Sequence, residues 1–188
     1  MCRGLLRWLL TATILAVANT PVRSMDLPSY ISGYADGEGC FNVSFCRRAK
    51  MRTGWDVRPS FSVSQNEDRQ EVLELMLDYF GCGTLRPDRS DNTIKFEVRA
   101  IGNLIGKVVP HFEAYPLISA KRRDFVGFAA VCRLIAAGSH LSRDGLQAIV
   151  SQATTMNSSG RRKFTAGQIL EVQDLKVIVS ASSNGGKT

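Results

Sequence analysis

The chain has 188 residues, of which 44% are hydrophobic and 22% charged, a composition that predicts a folded globular domain and excludes a disordered chain. Lysine and arginine number 24 against 17 aspartates and glutamates, and the resulting net charge of +7 favours a polyanionic partner such as nucleic acid. The five cysteines are scattered without a C-x-x-C pair, which argues against a zinc site and a disulfide scaffold and favours a reducing compartment.

Residues 1–25 differ from the rest of the chain. They carry three arginines and no acidic residue, and an apolar run lies between the arginines. The pattern is typical of a secretory signal, and an arginine-bearing, acid-poor leader also fits import into an organelle. A third interpretation is a spurious extension, with Met25 as the true start. In each case we expect one domain over 26–180 and a flexible tail over 181–188.

Helix and strand patterns occupy the remaining chain in a regular order. Helices are predicted over 28–36, 67–80, 101–109, 124–137 and 146–156. Strands are predicted over 41–46, 55–65, 84–88 and 93–99. The order αββαββα, with further helices behind it, predicts an α+β domain.

Both predicted hairpins alternate apolar and polar residues, so we expect a sheet with one buried face and one exposed face. The exposed face would carry four basic residues among serine, asparagine and threonine, namely Arg58, Arg86, Lys95 and Arg99. Such a face suits phosphates and base edges, although a merely solvated sheet has the same composition.

Residues 31–39, with the sequence ISGYADGEG, resemble the LAGLIDADG motif of homing endonucleases. Gly33 and Gly37 lie on one helix face, where missing side chains let two helices touch closely. Glu38 lies at the helix end, so a pair of such helices brings two carboxylates together, which a divalent cation makes tolerable. Without the resemblance, the string would be a glycine-rich helix stop before a hairpin.

The resemblance extends over about residues 28–175. Residues 61–65 look like the family's second strand, which ends in an active-site glutamine. Residues 115–122 resemble a segment that carries a pocket lysine, placed here on Lys121, although the family often has lysine where Ala120 stands. Shorter landmarks lie at 79–84, 145–146 and 156–157. The family's fold is αββαββα, with an antiparallel saddle-like sheet followed by C-terminal helices.

The resemblance implies Mg²⁺-dependent hydrolysis of double-stranded DNA at a long, pseudo-palindromic site, with Mn²⁺ as a substitute metal. Glu38 and the carbonyl of Gly37 are the implied metal ligands. Gln65 would position the attacking water, and Arg69 with Lys121 would neutralise charge on the phosphorane.

A single motif implies a homodimer about a two-fold axis. The residues expected at the dimer interface are Gly33, Asp36 and Gly37. The residues expected to contact DNA are Arg47, Arg48, Arg58, Ser62, Ser64, Arg86, Lys95 and Arg99. The segments 47–52, 86–92 and 161–163 are candidate phosphate contacts or solvated loops.

Two other functions remain open at this point. A maturase that binds intron RNA, or a DNA-binding regulator, would keep this fold without cleaving DNA. A secreted protein of unrelated role would take the leader at face value. The set of Glu38, Gln65, Arg69 and Lys121 favours an intron-encoded nuclease that acts on DNA inside the cell, in an organelle or a bacterial cytoplasm.

Overall fold

The structure is a computed structural model that describes residues 26–88, 90–157 and 162–171. The predicted leader over 1–25 and the predicted tail over 181–188 lie outside the described residues, as do 158–161 and 172–180. Within the described ranges, no helix combines the length and the apolar character that a membrane crossing requires.

The described residues form an α+β fold, as the sequence predicts. The helices are α1 (Leu27–Glu38), α2 (Glu71–Phe80), α3 (Ile101–Asn103), α4 (Val109–Ala114), α5 (Lys121–Ala136) and α6 (Arg143–Thr155). The strands are β1 (Gly39–Arg47), β2 (Trp55–Asn66), β3 (Thr84–Asp88) and β4 (Thr93–Val98). Two 3-10 turns, Glu67–Arg69 and Ser139–Leu141, precede α2 and α6, and a π segment, Leu104–Val108, joins α3 to α4. Residues 166–171 are also helical.

The four strands form one antiparallel sheet in the order β1-β2-β4-β3. Phe61 of β2 is paired with Phe41 on one side and with Val98 on the other, so apolar residues of three strands share one face. Side chains alternate between the two faces of a strand, and the polar residues therefore fall on the opposite face. The predicted division into an apolar and a polar face is confirmed, but the polar face is not exposed throughout, because Ser60 and Ser62 of the central strand β2 are only 7% and 8% exposed.

Aromatic side chains fill the space between the inner sheet face and the helices. The Phe61 ring centroid lies 5.1 Å from that of Phe41, 5.2 Å from that of Phe112 and 6.1 Å from that of Phe80. These spacings are typical of favourable aromatic pairs. Burial of each such ring stabilises the fold by about 2–3 kcal/mol, so the core fixes how α2 and α4 lie beneath the sheet.

The junction between α1 and β1 contains no linker residues. Helix α1 ends at Glu38, and β1 begins at the next residue, Gly39. A Cβ atom on Gly39 would lie only 2.6 Å from the carbonyl oxygen of Ala35. The last glycine of the ISGYADGEG segment is therefore required by the chain itself, because a side chain would push the helix end off the strand.

The helix predicted over 101–109 does not end before Pro110, as a proline usually requires. The π segment precedes it, with the Val109 amide donating to the carbonyl of Leu104, and α4 then continues to Ala114. The wider π turn accommodates the proline ring, which would clash within a regular α-helix. The continuation places His111 and Phe112 in the core.

Helices α5 and α6 are tied to the sheet through Asn157, which lies two residues past the end of α6. Its backbone is in the left-handed conformation at φ 47°. Its side-chain amide donates to the carbonyl of Phe41 at 2.7 Å. Its backbone amide donates to the Asp124 carboxylate at 2.9 Å. One residue therefore links β1 to the beginning of α5.

Candidate functional site

Three of the predicted catalytic residues meet around the side chain of Tyr34 near the end of α1. Burial raises the pKa of Tyr34, and the negative charge of Glu38 raises it further. A hydrogen bond with the Gln65 side chain and the charge of Arg69 oppose this shift. Glu38 and Arg69 are exposed, and Gln65 is half-buried at the end of β2. A carboxylate, an amide and a guanidinium thus share one solvent-facing corner.

Lys121, the first residue of α5, reaches the same helix end from a distant part of the sequence. Its ammonium donates to the carbonyl oxygens of Ala35 at 3.1 Å and Gly37 at 3.0 Å. The last carbonyls of a helix lack partners within it and carry partial negative charge, so a cation stabilises them. The fourth predicted catalytic residue therefore lies against the backbone that carries Glu38.

Asp36 holds the segment that presents Lys121. Its carboxylate accepts hydrogen bonds from the Ser119 hydroxyl at 2.5 Å, the Ser119 amide at 2.9 Å and the Ile118 amide at 3.2 Å. Burial opposes ionisation, but these hydrogen bonds and the charge of Lys121 outweigh it and hold the pKa of Asp36 below its ordinary value. Asp36 was predicted to lie at a dimer interface; within one chain its carboxylate braces the residues before α5.

Gly33 and Gly37 lie on an exposed face of α1. A Cβ atom built on either glycine would have no neighbour within 4 Å among the described residues. Tyr30, 37% exposed, lies one helical turn before Tyr34 and Gly33. Nothing described in the chain requires glycine at these two positions, in contrast to Gly39.

Most of the residues predicted to contact DNA lie together on the outer face of the sheet. Ser64, Lys95 and Arg86 form one row across β2, β4 and β3. In the next row Ser62 lies between Cys40 and Glu97. Between β1 and β2 the same face carries the pairs Asn42 with Ser60, Ser44 with Arg58, and Cys46 with Asp56.

Arg47 does not join this face. It pairs with Trp55 across the hairpin, on the side of the apolar residues, and its guanidinium lies 5.6 Å from the ring centroids of both Trp55 and Phe164. Such cation–π contacts hold residues near 164 against the end of the hairpin. Strand alternation from Phe41 onward already places Arg47 on the inner side, so its position could have been predicted from the sequence.

The basic segment 161–163 also has contacts within the chain. The Arg162 guanidinium donates to the carbonyls of Ala153 and Met156 and so satisfies the end of α6. The Lys163 ammonium lies 5.6 Å from the Phe164 ring centroid. Arg161 lies outside the described residues.

Two acidic residues on the outer face were not among the predicted site residues. Asp56 forms ion pairs with Arg48 and Arg58, at 3.3 and 2.9 Å. Glu97 pairs with Arg99 at 3.1 Å and lies 4.0 Å from Arg86. Both acids fall at polar positions of the alternating strands, so their location on this face could have been read from the sequence.

Few ligands for a metal ion are available within one chain. Across the described ranges, no three histidine, cysteine or acidic side chains come together as a metal cluster. At the end of α1, the available oxygen ligands are the Glu38 carboxylate and the Gly37 carbonyl, and the latter already accepts a hydrogen bond from Lys121. Oxygen ligands of this kind suit Mg²⁺ or Ca²⁺, but one carboxylate is an incomplete set.

A family model described as LAGLIDADG endonuclease matches residues 31–132. Probable intron-encoded endonuclease 2 of Neurospora crassa is 31% identical over 160 residues, which cover 84% of this chain. The chain spans only 35% of the length of that relative.

Two solved structures illustrate the structural similarity. The LAGLIDADG homing endonuclease I-LtrWI bound to target DNA matches with 37% identity and a TM-score of 0.68, over 70% of this chain and 44% of that one. The archaeal intron-encoded homing endonuclease I-Vdi141I complexed with DNA matches with 26% identity and a TM-score of 0.74, over 80% of this chain and 96% of that one. The matched fold thus makes up nearly the whole of the I-Vdi141I chain but less than half of the I-LtrWI chain.

Proposed function

The chain belongs to the LAGLIDADG endonuclease family, and from this premise we propose that it is an intron-encoded homing endonuclease that cleaves both strands of a long DNA site. One observation carries the proposal: the end of the motif helix gathers Glu38, Gln65, Arg69 and Lys121. These residues come from three separate parts of the sequence, since Gln65 and Arg69 lie in one continuous stretch at the end of β2. Their convergence favours cleavage over a maturase or regulator, which would need only the binding surface.

We propose that two copies of the chain form the complete enzyme. The exposed glycine face of α1 offers a surface on which a second α1 can pack at close range. Packing about a two-fold axis brings two Glu38 carboxylates together, one for each DNA strand. The near-complete match to the I-Vdi141I chain supports a unit of this size as a separate chain. A two-fold protein implies a pseudo-palindromic DNA site.

Mg²⁺, or Mn²⁺ in its place, is the proposed metal. Glu38 is the principal ligand from each copy, and the Gly37 carbonyl is the second, since a carbonyl oxygen has two lone pairs and Lys121 uses one. When bound, the metal would lower the pKa of a water and stabilise charge on the scissile phosphate. The second copy supplies the carboxylate that the single chain lacks.

The side chains around this position divide the remaining tasks. Gln65, hydrogen-bonded to Tyr34, can orient the attacking water because an amide both donates and accepts. Arg69 and Lys121 place positive charge where the phosphate gains negative charge. Asp36 acts indirectly, because its hydrogen bonds fix the backbone that leads to Lys121.

The outer face of the sheet is the proposed DNA surface. Arg58, Arg86 and Arg99 present exposed guanidiniums there, and Ser62 and Ser64 of β2 lie on the same face. Short hydroxyl side chains leave room for a base edge, and guanidiniums suit both phosphates and guanine. The two solved neighbours described above are DNA complexes, which supports this assignment.

The test replaces Glu38 with glutamine, which keeps the shape of the side chain and removes its charge. A target duplex is first obtained by selecting, from a random pool, sequences that the wild-type protein cleaves or retains. We expect wild-type cleavage of both strands, and retained binding by Glu38→Gln with cleavage at least about 100-fold slower, since the loss of metal activation removes several kcal/mol of stabilisation. Glu74→Gln, a change on the exposed surface of α2, is the matched control and should cleave normally.

Two results would contradict the proposal. Wild-type protein that retains a selected duplex but leaves it intact in both Mg²⁺ and Mn²⁺ is a maturase or a regulator. If Glu38→Gln unfolds the protein, as judged by circular dichroism, Glu38 is a structural residue and the metal assignment is wrong.

A further inference from the structure

The outer sheet face carries two three-residue clusters of the same design, at opposite sides of the sheet. In the first, the Asp56 carboxylate on β2 accepts from Arg48 at 3.3 Å and from Nε of Arg58 at 2.9 Å. The side chain of Asp56 is only 19% exposed, whereas those of Arg48 and Arg58 are 58% and 54% exposed. The acid lies low on the sheet, and both guanidiniums project above it.

The second cluster, on β4, is similar but consists of ion pairs alone. The Glu97 carboxylate contacts Nε of Arg99 at 3.1 Å and lies 4.0 Å from the guanidinium of Arg86. Glu97 is 11% exposed, and the two arginines are 64% and 62% exposed. At two unrelated positions in the sequence, one acid thus contacts the Nε of one arginine of the proposed DNA surface and lies beside the charge of a second.

Neither stability nor attraction to DNA accounts for these acids. Ion pairs at an exposed surface contribute little to folding, because solvent and salt screen them. A carboxylate beside a phosphate backbone is repelled, so each acid weakens general binding to DNA. A surface selected only to attract DNA would have neutral residues at both positions.

Fixed guanidinium geometry is what the acids provide. Arginine has five N–H donors in a rigid fork, and a carboxylate that takes the Nε side leaves the donors on the far side of the guanidinium free. An arginine held in this way can read the two acceptors of guanine, whereas a mobile one takes any phosphate within reach. The carboxylate also offsets the positive charge that would bind every sequence alike.

We propose that Asp56 and Glu97 are specificity-determining residues, which orient Arg58 and Arg99 for base reading and offset the nonspecific attraction of these arginines, and of Arg48 and Arg86 beside them, to phosphates. The proposal rests on the proposed function, because it takes the outer sheet face as the DNA surface. The residues act through the arginines and are positioning residues, not catalytic ones.

The test uses Asp56→Asn and Glu97→Gln in the full chain, with Glu74→Gln as the matched control on the far side of the sheet. Two probes are compared across a salt series: the duplex selected with wild-type protein and a random-sequence duplex of equal length. We expect each variant to bind the random duplex more tightly, with a salt slope steeper by about one for each arginine released. The preference for the selected duplex should fall by about tenfold per variant, the value of one bidentate base contact.

A second pair of variants keeps the test informative if either acid is needed for folding. Arg58→Lys and Arg99→Lys keep the charge and lose the fork. We expect them to lose about tenfold in preference while binding to the random duplex stays at the wild-type level. If all four variants retain the wild-type preference, the two acids are ordinary surface charges and the proposal is wrong. If wild-type protein binds no duplex at all, the proposed function itself fails, which is a separate result.

Discussion

The two faces of α1 are specified by different requirements. On the inner face, Ile31 and Ala35 are fully buried, and the Ser32 hydroxyl donates to the carbonyl of Tyr115 at 2.7 Å. On the outer face, Gly33 and Gly37 have open space around them. The inner residues are explained by packing within the chain, whereas no described contact explains the outer glycines. The proposed dimer accounts for them, since it places a second α1 on this face.

The largest expected effect comes from Gly33→Leu on the outer face. The new side chain meets open space in the single chain but would wedge two α1 helices apart. We expect folded monomers in sedimentation velocity, with double-strand cleavage reduced by orders of magnitude because each monomer keeps only one Glu38. Gly102→Leu, at another exposed helical glycine with open space around it, is the control and should leave the dimer intact. A Gly33→Leu protein that remains a fully active dimer would rule out this interface.

Ile31→Ala tests the inner face and should have the opposite phenotype. The side chain is fully buried, and its truncation leaves a cavity beneath the sheet. We expect the free energy of unfolding to fall by about 2–5 kcal/mol, measured by urea denaturation. The oligomeric state of the protein that remains folded should not change. Dissociation without loss of stability would show that the two faces of α1 are not separable.

A smaller effect is expected from pH, through His111 at the inner face of α1. The imidazole lies 3.1 Å from the Ser32 hydroxyl and 3.0 Å from the Tyr79 hydroxyl. Since Ser32 already donates to Tyr115, it accepts from Nε2–H of His111, and Tyr79 donates to Nδ1. Burial lowers the pKa of His111 from 6.5 to about 4 and keeps the ring neutral.

The sign of the pH dependence follows from this shift. In the unfolded chain His111 takes up a proton as the pH falls below 6.5, whereas in the folded chain it does so only near 4. Stability is therefore complete above pH 6.5 and declines as the pH falls, by roughly 2 kcal/mol at pH 5. Urea denaturation at pH 7 and pH 5 measures this loss. His111→Gln should be less stable at pH 7 but should lose less between the two pH values, and an equal loss would assign the dependence to other groups.

The sequence was most informative about features that lie within a single helix or strand. The nine-residue motif predicted α1, its glycine face and Glu38 at its end, and alternation in β1, β2 and β4 predicted the two sheet faces. Contacts between distant segments were harder to predict. The resemblance suggested Lys121, but the hydrogen bonds that bring it to Gly37 cross 84 positions of sequence. The role of Asp36 became apparent only with its partners Ser119 and Ile118.

Other differences arise from local backbone geometry that composition does not reveal. Pro110 predicts the end of a helix unless a π turn precedes it, and nothing in the pattern of residues 101–109 indicates such a turn. Arg47 was assigned to the DNA surface from its charge, although its position in the strand places it over Trp55. Charge was therefore a weaker guide than strand alternation at the end of β1.

The direct junction of α1 and β1 at Gly39 has a consequence for protein engineering. With no flexible residues between them, the helix that would pair two copies and the strand that opens the sheet turn as one rigid body. The distance and angle between two such sheets are then dictated by how the helices cross. Hybrid proteins built by joining this unit to one from a relative should keep a constant spacing between their two half-sites, provided that the crossing residues of α1 are exchanged as a matched set.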